Sequence, residues 1–222
     1  MCGRLGLTLS PEAIEELLDA EVPVDLRPRY NIAPSQSLLA RRGQAETREV
    51  VRLTWGLVPF WAKARKSGHQ LINARSETVA EKPAFRQAFA RRRCVIPTDG
   101  FYEWKTEGRK KQPYHIGFEQ GDGFLIAGLW DQWTDGETGE VLETCTLLTT
   151  EANALVGQVH HRMPVILDRA DRDGWLNPHL PVPPTIFSPY PAEKMVLWPV
   201  SPIVNHAGRD EPTCRARQAT LL

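Results

Sequence analysis

The sequence predicts an α+β protein with a mainly antiparallel β-sheet, a barrel-like core and short peripheral helices. Many short β-branched or aromatic runs are separated by turns, which is typical of antiparallel sheets and barrels. Neither a βαβ alternation nor an internal repeat occurs in the 222 residues. Hydrophobic residues make up 41% and charged residues 24% of the chain, the balance of a globular protein with a substantial core. We expect one domain over residues 1–222, because no linker divides the chain.

A short strand and one helix are predicted at the start of the chain. Residues 2–8 form the strand, and Ser10 followed by Pro11 supplies an N-cap and a proline at the first helical position. The helix extends to about residue 20, because apolar residues fall at helical spacing. These residues are Ile14, Leu17 and Leu18. A proline-containing loop is expected over residues 22–37.

The remaining elements follow from alternation, β-branched or aromatic runs, and helical spacing. Strands are predicted at residues 38–41, 49–55, 94–96, 100–105, 113–118, 124–130, 144–149 and 195–200. Helical spacing predicts a helix over residues 77–90, where Pro83 either begins a second helix or breaks the first. Shorter helices are predicted at residues 151–156 and 169–176.

Composition and missing motifs exclude several classes of protein. Lysine plus arginine equals aspartate plus glutamate at 27 each, so an anionic partner must be held by a local basic patch. Short basic runs occur at residues 41–42, 63–66, 91–93 and 109–111. The absence of a glycine-rich phosphate loop argues against a nucleotide-driven enzyme, and a GxSxG elbow is also missing.

The cysteines show no pattern of a metal site or a disulfide framework. The four of them form no CxxC pair, and no tight cysteine–histidine cluster indicates zinc. We therefore expect no cofactor, no metal and a reducing compartment. No apolar stretch approaches the roughly 20 residues that cross a bilayer, and the N-terminus lacks a signal-peptide pattern. The expected location is the cytoplasm, or the nucleus in a eukaryote, with no membrane partner.

Cys2 carries the most distinctive chemistry in the sequence. If Met1 is removed, a free amine and a thiol lie on one residue, and this pair condenses with an aldehyde to close a five-membered thiazolidine ring. The free α-amino group titrates near pH ~8 and the thiol near ~8.5, so both have a nucleophilic fraction around neutrality. The alternative is a cysteine that lies in the first strand as a small buried hydrophobe.

Glu103 and two adjacent histidines are candidates for acid–base work. Glu103 lies between Tyr102 and Trp104 in a predicted strand, so alternation places it on the opposite face, in a half-apolar setting that raises its proton affinity. A solvent-facing strand glutamate is the alternative. His160 and His161 point to opposite sides of an extended segment, so they do not chelate one metal and at most one is catalytic. A structural histidine remains the other interpretation.

Other polar and aromatic residues have two interpretations each. Asn73 either donates to a substrate or fixes an amine, or it caps a helix. Arg75 and Arg162 either hold phosphates or form structural ion pairs. Four aromatic residues offer stacking platforms for unpaired bases or lie in the core. They are Trp55, Trp61, Tyr102 and Trp104.

Six motifs occur in order between residue 2 and about residue 200. They are Met1-Cys2-Gly3-Arg4, Tyr30-Asn31-Ile32-Ala33-Pro34, Trp55-Gly56-Leu57-Val58-Pro59, Ile72-Asn73-Ala74-Arg75, Phe101-Tyr102-Glu103-Trp104 and His160-His161-Arg162-Met163-Pro164. Together they resemble the SRAP family, the SOS response-associated peptidases. The resemblance covers nearly the whole chain and implies a single SRAP domain.

The resemblance implies a role in DNA repair: abasic sites in single-stranded DNA are shielded by covalent capture. The Cys2 amine would form a Schiff base with C1′ of the open aldehyde, and its thiol would then close the thiazolidine. Asn73 would orient the amine, and Glu103 would shuttle protons at the amine and the sulfur. His160 would protonate the sugar-ring oxygen and assist reversal of the crosslink, whereas His161 is given no catalytic role.

The resemblance also implies DNA contacts and self-processing. The residues that would hold the phosphate backbone are Arg4, Asn31, Arg75, Thr149 and Arg162, and Trp61 would wedge or stack beside the bases. Autoproteolysis would remove whatever precedes Cys2, as in a thiol autopeptidase, and a lyase-like activity is possible in the same site. While Met1 is attached, the nitrogen of Cys2 is an amide and the ring cannot form. The expected partner is single-stranded DNA containing abasic sites, bound by a monomer that associates with the nucleoid.

Two other classes of function use the same residues. An N-terminal-nucleophile glutamine amidohydrolase also begins Met-Cys-Gly, but it needs oxyanion and glutamine-binding motifs that are not found downstream. A non-covalent binder of single-stranded nucleic acid would use the aromatics and arginines, with Cys2 incidental. Its binding would fall with salt and never become covalent.

Overall fold

The part of the chain that the structure describes contains thirteen strands and three α-helices. The computed structural model describes residues 2–23, 25–44, 47–64 and 71–218. The strands are β1 Leu5–Leu7, β2 Arg29–Ile32, β3 Ser37–Arg42, β4 Glu49–Trp55, β5 Asn73–Arg75, β6 Arg93–Thr98, β7 Gly100–Glu107, β8 Lys110–Phe118, β9 Phe124–Thr134, β10 Val141–Glu151, β11 Arg162–Pro164, β12 Ile166–Leu167 and β13 Met195–Pro199. The helices are α1 Pro11–Leu18, α2 Arg86–Arg91 and α3 Arg172–Leu176.

The strands form two sheets, and the larger one closes on itself. Its order is β11-β10-β4-β3-β6-β9-β12, and β5 also pairs with β10. Because β10 pairs with β9 as well as β4, the strands β10, β4, β3, β6 and β9 close a five-stranded barrel. The second sheet has the order β13-β8-β7-β1-β2 and is antiparallel throughout. The predicted α+β class with a mainly antiparallel, barrel-like core and short helices is confirmed.

Large apolar side chains fill the barrel and the space between the sheets. Trp55 and Leu53 of β4 and Ile96 of β6 are buried in the barrel, and Phe101 of β7 joins the same core from the second sheet. Gly100 is required where the sheets meet, since a Cβ there would lie 2.2 Å from Nε2 of the buried His115. This shared core holds the start of β7 in a fixed position.

The first helix has the predicted start and a slightly earlier end. The Ser10 hydroxyl accepts a hydrogen bond from the Ala13 N–H at 3.3 Å, and Pro11 occupies the first helical position. The apolar stripe of Ile14, Leu17 and Leu18 is buried. The helix ends at Leu18 because Asp19 adopts the left-handed conformation, with φ of 50°.

Three predictions of local structure are wrong. The loop over residues 22–37 contains strand β2, which pairs with β1. In the predicted helix over residues 77–90, only α2 is helical; the residues before it form turns around Pro83, which cannot donate a helical hydrogen bond. The helix predicted at residues 151–156 is absent because Glu151 pairs with Arg162 at the end of β10.

The structure also bears on membrane and metal sites within the described residues. None of the described helices has the length and apolar character needed to span a bilayer. No group of three or more His, Cys, Asp or Glu side chains in those residues could hold a metal ion. Part of the basic run at residues 63–66 and Met1 itself lie outside the described residues.

Candidate functional site

The N-terminal strand brings Cys2 alongside Glu103. Leu5 of β1 lies opposite Phe101 of β7, and the Tyr102 N–H donates to the Arg4 carbonyl at 3.1 Å. This antiparallel register, continued towards the N-terminus, places residues 2–4 beside residues 102–104. The Glu103 carboxylate accordingly acts on Cys2 as a nearby negative charge that raises the pKa of its thiol.

Cys2 is fully buried. Its sulfur lies 4.0 Å from the Arg4 carbonyl oxygen, and its side chain packs in the main hydrophobic core. Burial is the largest cause that raises the pKa of the thiol above its ordinary value, and the Glu103 carboxylate adds to it. Cys2 is therefore both a packed hydrophobe and a protonated thiol, which needs a base before it can attack.

Glu103 is a buried carboxyl group close to Cys2. Its side chain is 2% exposed, so the alternative of a solvent-facing strand glutamate is wrong. Burial raises the pKa of Glu103 to about 7, and the positive charge of the N-terminal amino group opposes this shift only in part. A carboxyl group with a pKa near 7 exchanges protons readily at neutral pH in both directions.

Asn73 joins Cys2 from the other sheet. It lies in β5, opposite Leu147 of β10, so the helix-cap alternative is wrong. Its Nδ2 donates to the Cys2 carbonyl at 2.9 Å. Its Oδ1 is buried and, among the described residues, has no hydrogen-bond partner. A buried acceptor left open beside Cys2 is suited to receive an amine N–H.

His160 and His161 stack on each other instead of pointing to opposite sides. Their ring centroids are 4.4 Å apart with 25° between the planes, because these residues lie in a turn before β11 and not in an extended segment. The Arg162 N–H donates to His160 Nδ1 at 3.0 Å, which leaves the proton of the neutral ring on Nε2. Burial and the charge of the N-terminal amino group lower the pKa of His160 below its ordinary value.

Glu103 and His160 line one open cleft of about 460 Å³. Its lining residues are Arg4, Glu103, Trp104, Lys111, His160 and Asn205. Cys2 adjoins this cleft through Glu103, and Asn73 is bonded to Cys2, so the fold brings together all four predicted catalytic residues. No sequence pattern predicts a site role for Asn205, and the sequence marks Lys111 only as part of a short basic run.

Arg4 and Asn31 hold the C-terminal segment at the cleft by hydrogen bonds. Arg4 Nη1 donates to Asn31 Oδ1 at 2.9 Å and to the carbonyl of Val204, and Nη2 donates to the carbonyl of Asn205 at 3.1 Å. Asn31 is fully buried, and its Nδ2 donates to three carbonyls of the C-terminal segment. They belong to Val204, His206 and Arg209, at 3.2, 3.1 and 2.6 Å. The structure thus places Asn31 behind Arg4, where it fixes the segment that carries Asn205.

Arg162 and Thr149 are also buried. Arg162 forms a two-pronged ion pair with Glu77 at 2.5 and 2.9 Å, and its Nη2 donates to the Thr149 carbonyl at 2.7 Å. The hydrogen bonds and charge of Arg162 lower the pKa of the Glu77 carboxyl. Arg75, in contrast, is exposed and lines a second cleft of about 510 Å³. The other lining residues are Glu151, Ala152, Gly157, His161 and Arg162.

Trp61 projects from an anchored turn. It is 55% exposed, and its neighbour Phe60 is 48% exposed. The Phe60 N–H donates to Asp131 Oδ2 at 3.1 Å, and Trp133 Nε1 donates to the Ala62 carbonyl at 2.7 Å, so the turn is tied down on both sides. Of the other aromatics considered as stacking platforms, Trp55 and Tyr102 are fully buried and belong to the core, and Trp104 is half-buried.

Comparison with known proteins places this arrangement among related sequences and folds. The model of the SOS response associated peptidase (SRAP) family matches residues 1–207. The chain is 40% identical over 219 residues to the abasic site processing protein YoqW of Bacillus subtilis, covering 96% of this chain and 97% of the relative. It is 34% identical over 220 residues to the abasic site processing protein HMCES of Gallus gallus, covering 85% and 66%. The crystal structure of a protein from Bacteroides thetaiotaomicron matches with a TM-score of 0.86 and 27% identity, covering 98% and 100%.

Proposed function

The chain belongs to the SOS response associated peptidase (SRAP) family, and we propose that it processes abasic sites in single-stranded DNA by capturing them covalently on Cys2. Its relatives in Bacillus subtilis and Gallus gallus are named abasic site processing proteins. The observation that carries the proposal is that Glu103 and His160 line one cleft, with Cys2 buried beside Glu103 and Asn73 hydrogen-bonded to Cys2. This set has a nucleophile, a proton-transfer group and an orienting amide for reaction with an aldehyde.

The proposed reaction joins one aldehyde to the amine and thiol of Cys2 and releases one water. The amine adds to C1′ of the open-chain deoxyribose, and the resulting carbinolamine loses water to give a Schiff base. The thiol then adds to the C=N carbon, its proton ends on the nitrogen, and the five-membered ring closes. Two weak nucleophiles on one residue react in sequence, so the second step is intramolecular and fast.

Glu103 serves both proton transfers. Because its pKa is about 7, a protonated fraction can donate to the departing water, and the ionised fraction can take the proton from the thiol. The thiol needs this help, since burial holds its pKa above the ordinary value. Glu103 lies beside Cys2 in the strand register and lines the cleft through which the sugar would enter.

Asn73 and His160 prepare the two reactants. Asn73 Oδ1 accepts an N–H of the Cys2 amine while Nδ2 holds the Cys2 carbonyl, which aims the nitrogen lone pair at the aldehyde. His160 presents Nε2–H to the sugar-ring oxygen and favours the open aldehyde. Arg75 and Trp61 contact the strand directly, and Arg162 and Thr149 shape the wall behind Arg75.

The amine of Cys2 becomes available only after Met1 is removed. We propose that the thiol of Cys2 acts in its own release, as in a thiol autopeptidase, because Glu103 is placed to move protons for either reaction. A lyase-like cleavage of the captured strand would proceed from the same Schiff base. Each of these activities shares the requirement for Cys2.

A denaturing gel tests the capture reaction. Mature protein is incubated with single-stranded DNA that carries one abasic site, and we expect a shifted band that survives denaturation. Cys2→Ala should lose the band, and Cys214→Ala, which removes another buried thiol, should keep it. Cys2→Ser should give a stable band only after borohydride reduction, because its amine forms a Schiff base but no thiazolidine.

Three results would contradict the proposal. Wild-type protein that binds the strand but gives no denaturation-resistant band would be a non-covalent binder. A band that persists in Cys2→Ala would place the reaction on another residue. Glutamine hydrolysis that is lost in Cys2→Ala, without any DNA adduct, would indicate an amidohydrolase. Duplex DNA, DNA without the lesion and protein that retains Met1 serve as controls.

A further inference from the structure

The stacked histidines lie between two clefts that are each lined by two cationic side chains. His160 lines the cleft that contains Glu103, and His161 lines the cleft that contains Arg75. Their rings are 4.4 Å apart, so the two clefts adjoin along this pair. If the abasic nucleotide of a single strand lies at Glu103, the strand on one side of it reaches the cleft that contains Arg75. The strand on the other side passes through the rest of the cleft that contains Glu103.

In each cleft, one cationic side chain has hydrogen-bond or ion-pair partners inside the protein, and the other forms no salt bridge among the described residues. Arg4 donates to Asn31 and to a backbone carbonyl, and Arg162 donates to Glu77 and Thr149. Within the described ranges of the chain, Lys111 and Arg75 form no salt bridge, and both are exposed. Cations that lack an internal partner and line a cleft are available to an external anion.

The strand register separates Lys111 from its neighbour Lys110. Lys111 lies opposite Thr106 in the β7–β8 pair, on the face that also carries Trp104, and Trp104 lines the same cleft. Lys110 lies opposite Glu107 on the other face and is not among the residues that line the cleft. The basic run at residues 109–111 thus contributes one lysine to the cleft.

We propose that Lys111 binds a backbone phosphate of the DNA strand on the side of the abasic nucleotide opposite to Arg75. The strand then crosses the stacked histidines with one phosphate held in each cleft, and the lesion lies over Glu103. This inference rests on the proposed function, because it assigns the path of that same substrate. The long flexible lysine acts as a point charge and selects no base.

The test measures the salt dependence of binding to an undamaged single-stranded oligonucleotide, so that covalent capture cannot contribute. Each phosphate contact adds about 0.7 to the slope of log K against log salt for single strands. We expect Lys111→Ala to make the slope shallower by about 0.7 and to weaken binding several-fold at low salt. Lys111→Arg should keep the wild-type slope, as should the matched control Lys110→Ala.

A crosslinking assay at varied DNA concentration separates binding from chemistry. Lys111→Ala should raise the DNA concentration that gives half-maximal crosslinking and leave the maximal rate unchanged. The assignment is overturned if Lys111→Ala keeps the wild-type slope, if Lys110→Ala lowers the slope equally, or if the maximal rate falls. Wild-type protein that binds but never crosslinks would refute the proposed function, and the slopes would still decide the role of Lys111.

Discussion

Two buried carboxylates lie four residues apart, and the fold surrounds them with different partners. Asp99 is 1% exposed at the junction of β6 and β7, and Glu103 is 2% exposed in β7. Asp99 Oδ2 accepts hydrogen bonds from the Thr8 N–H at 3.1 Å, from the Thr8 hydroxyl, and from Arg215 Nη1 at 2.6 Å. Strong donors therefore compensate Asp99 for its loss of water.

The Glu103 carboxylate is less well stabilised against its loss of water. Burial raises its pKa to about 7 although the N-terminal amino group acts in the opposite direction. At similar burial, Asp99 meets a guanidinium, whereas the positive charge that acts on Glu103 is the N-terminal amino group. The partners supplied by the fold, more than the depth of burial, distinguish the two carboxylates.

The largest expected effect is on chemistry at Glu103. Glu103→Gln keeps the size of the side chain and removes proton transfer, so the rate of crosslinking should fall by about 10²- to 10⁴-fold. Single-turnover crosslinking at saturating DNA measures it. Asp99→Asn is the matched control and should keep the rate within a few-fold. A Glu103→Gln rate equal to wild type would remove Glu103 from the mechanism.

The next effect is on stability at Asp99. Asp99→Ala leaves the Arg215 guanidinium and the Thr8 N–H without their acceptor, so the free energy of unfolding should fall by about 3 kcal/mol. Urea unfolding measures the change, and a double-mutant cycle with Arg215→Ala isolates the pair. The side chain of Arg215 is 22% exposed, which keeps this value below that of a fully buried pair. A loss near zero would show that Asp99 is not anchored by these donors.

The smallest expected effect is on the pH dependence of stability, which tests whether Glu103 carries a raised pKa. The folded-state pKa of Glu103 is raised from 4.5 to about 7, so the folded protein binds the proton more tightly than the unfolded chain. Stability from this group is therefore present below about pH 4.5 and is lost as the pH rises through 7. Glu103→Gln should gain about 2–3 kcal/mol of unfolding free energy relative to wild type between pH 4.5 and pH 8.

Urea unfolding of both proteins at several pH values checks this difference. If the advantage of Glu103→Gln over wild type stays constant with pH, then Glu103 does not carry a raised pKa in the folded protein.

Local sequence predicted the elements whose side chains alternate or recur regularly. The stripe of α1 and the alternating strand β4 have the predicted positions, and β7 has the predicted start at Gly100. The prediction failed where pairing or a turn outweighs local preference. Strand β2 exists because it pairs with β1, and residues 160–161 turn because β11 begins directly after them.

The candidate site shows the same division. Amine and thiol on Cys2 and the half-apolar setting of Glu103 are covalent or local properties, so the sequence indicated both. It could not show that Asn31 is buried behind Arg4, because its bonding partners lie more than 170 residues further along the chain. Nor could it separate Lys111 from Lys110, since the face that each occupies depends on the register of β7 with β8.

The sequence by itself determined which groups can react and which family they resemble, because these depend on residue types and their order. Tertiary structure alone decided that burial raises the pKa of Glu103 and that Asp99 meets Arg215, because both depend on which groups the fold brings together. It also decided which cationic side chains have a partner inside the protein. Strand pairing and packing decide which residues interact when they are far apart in the sequence, and no local sequence pattern encodes this.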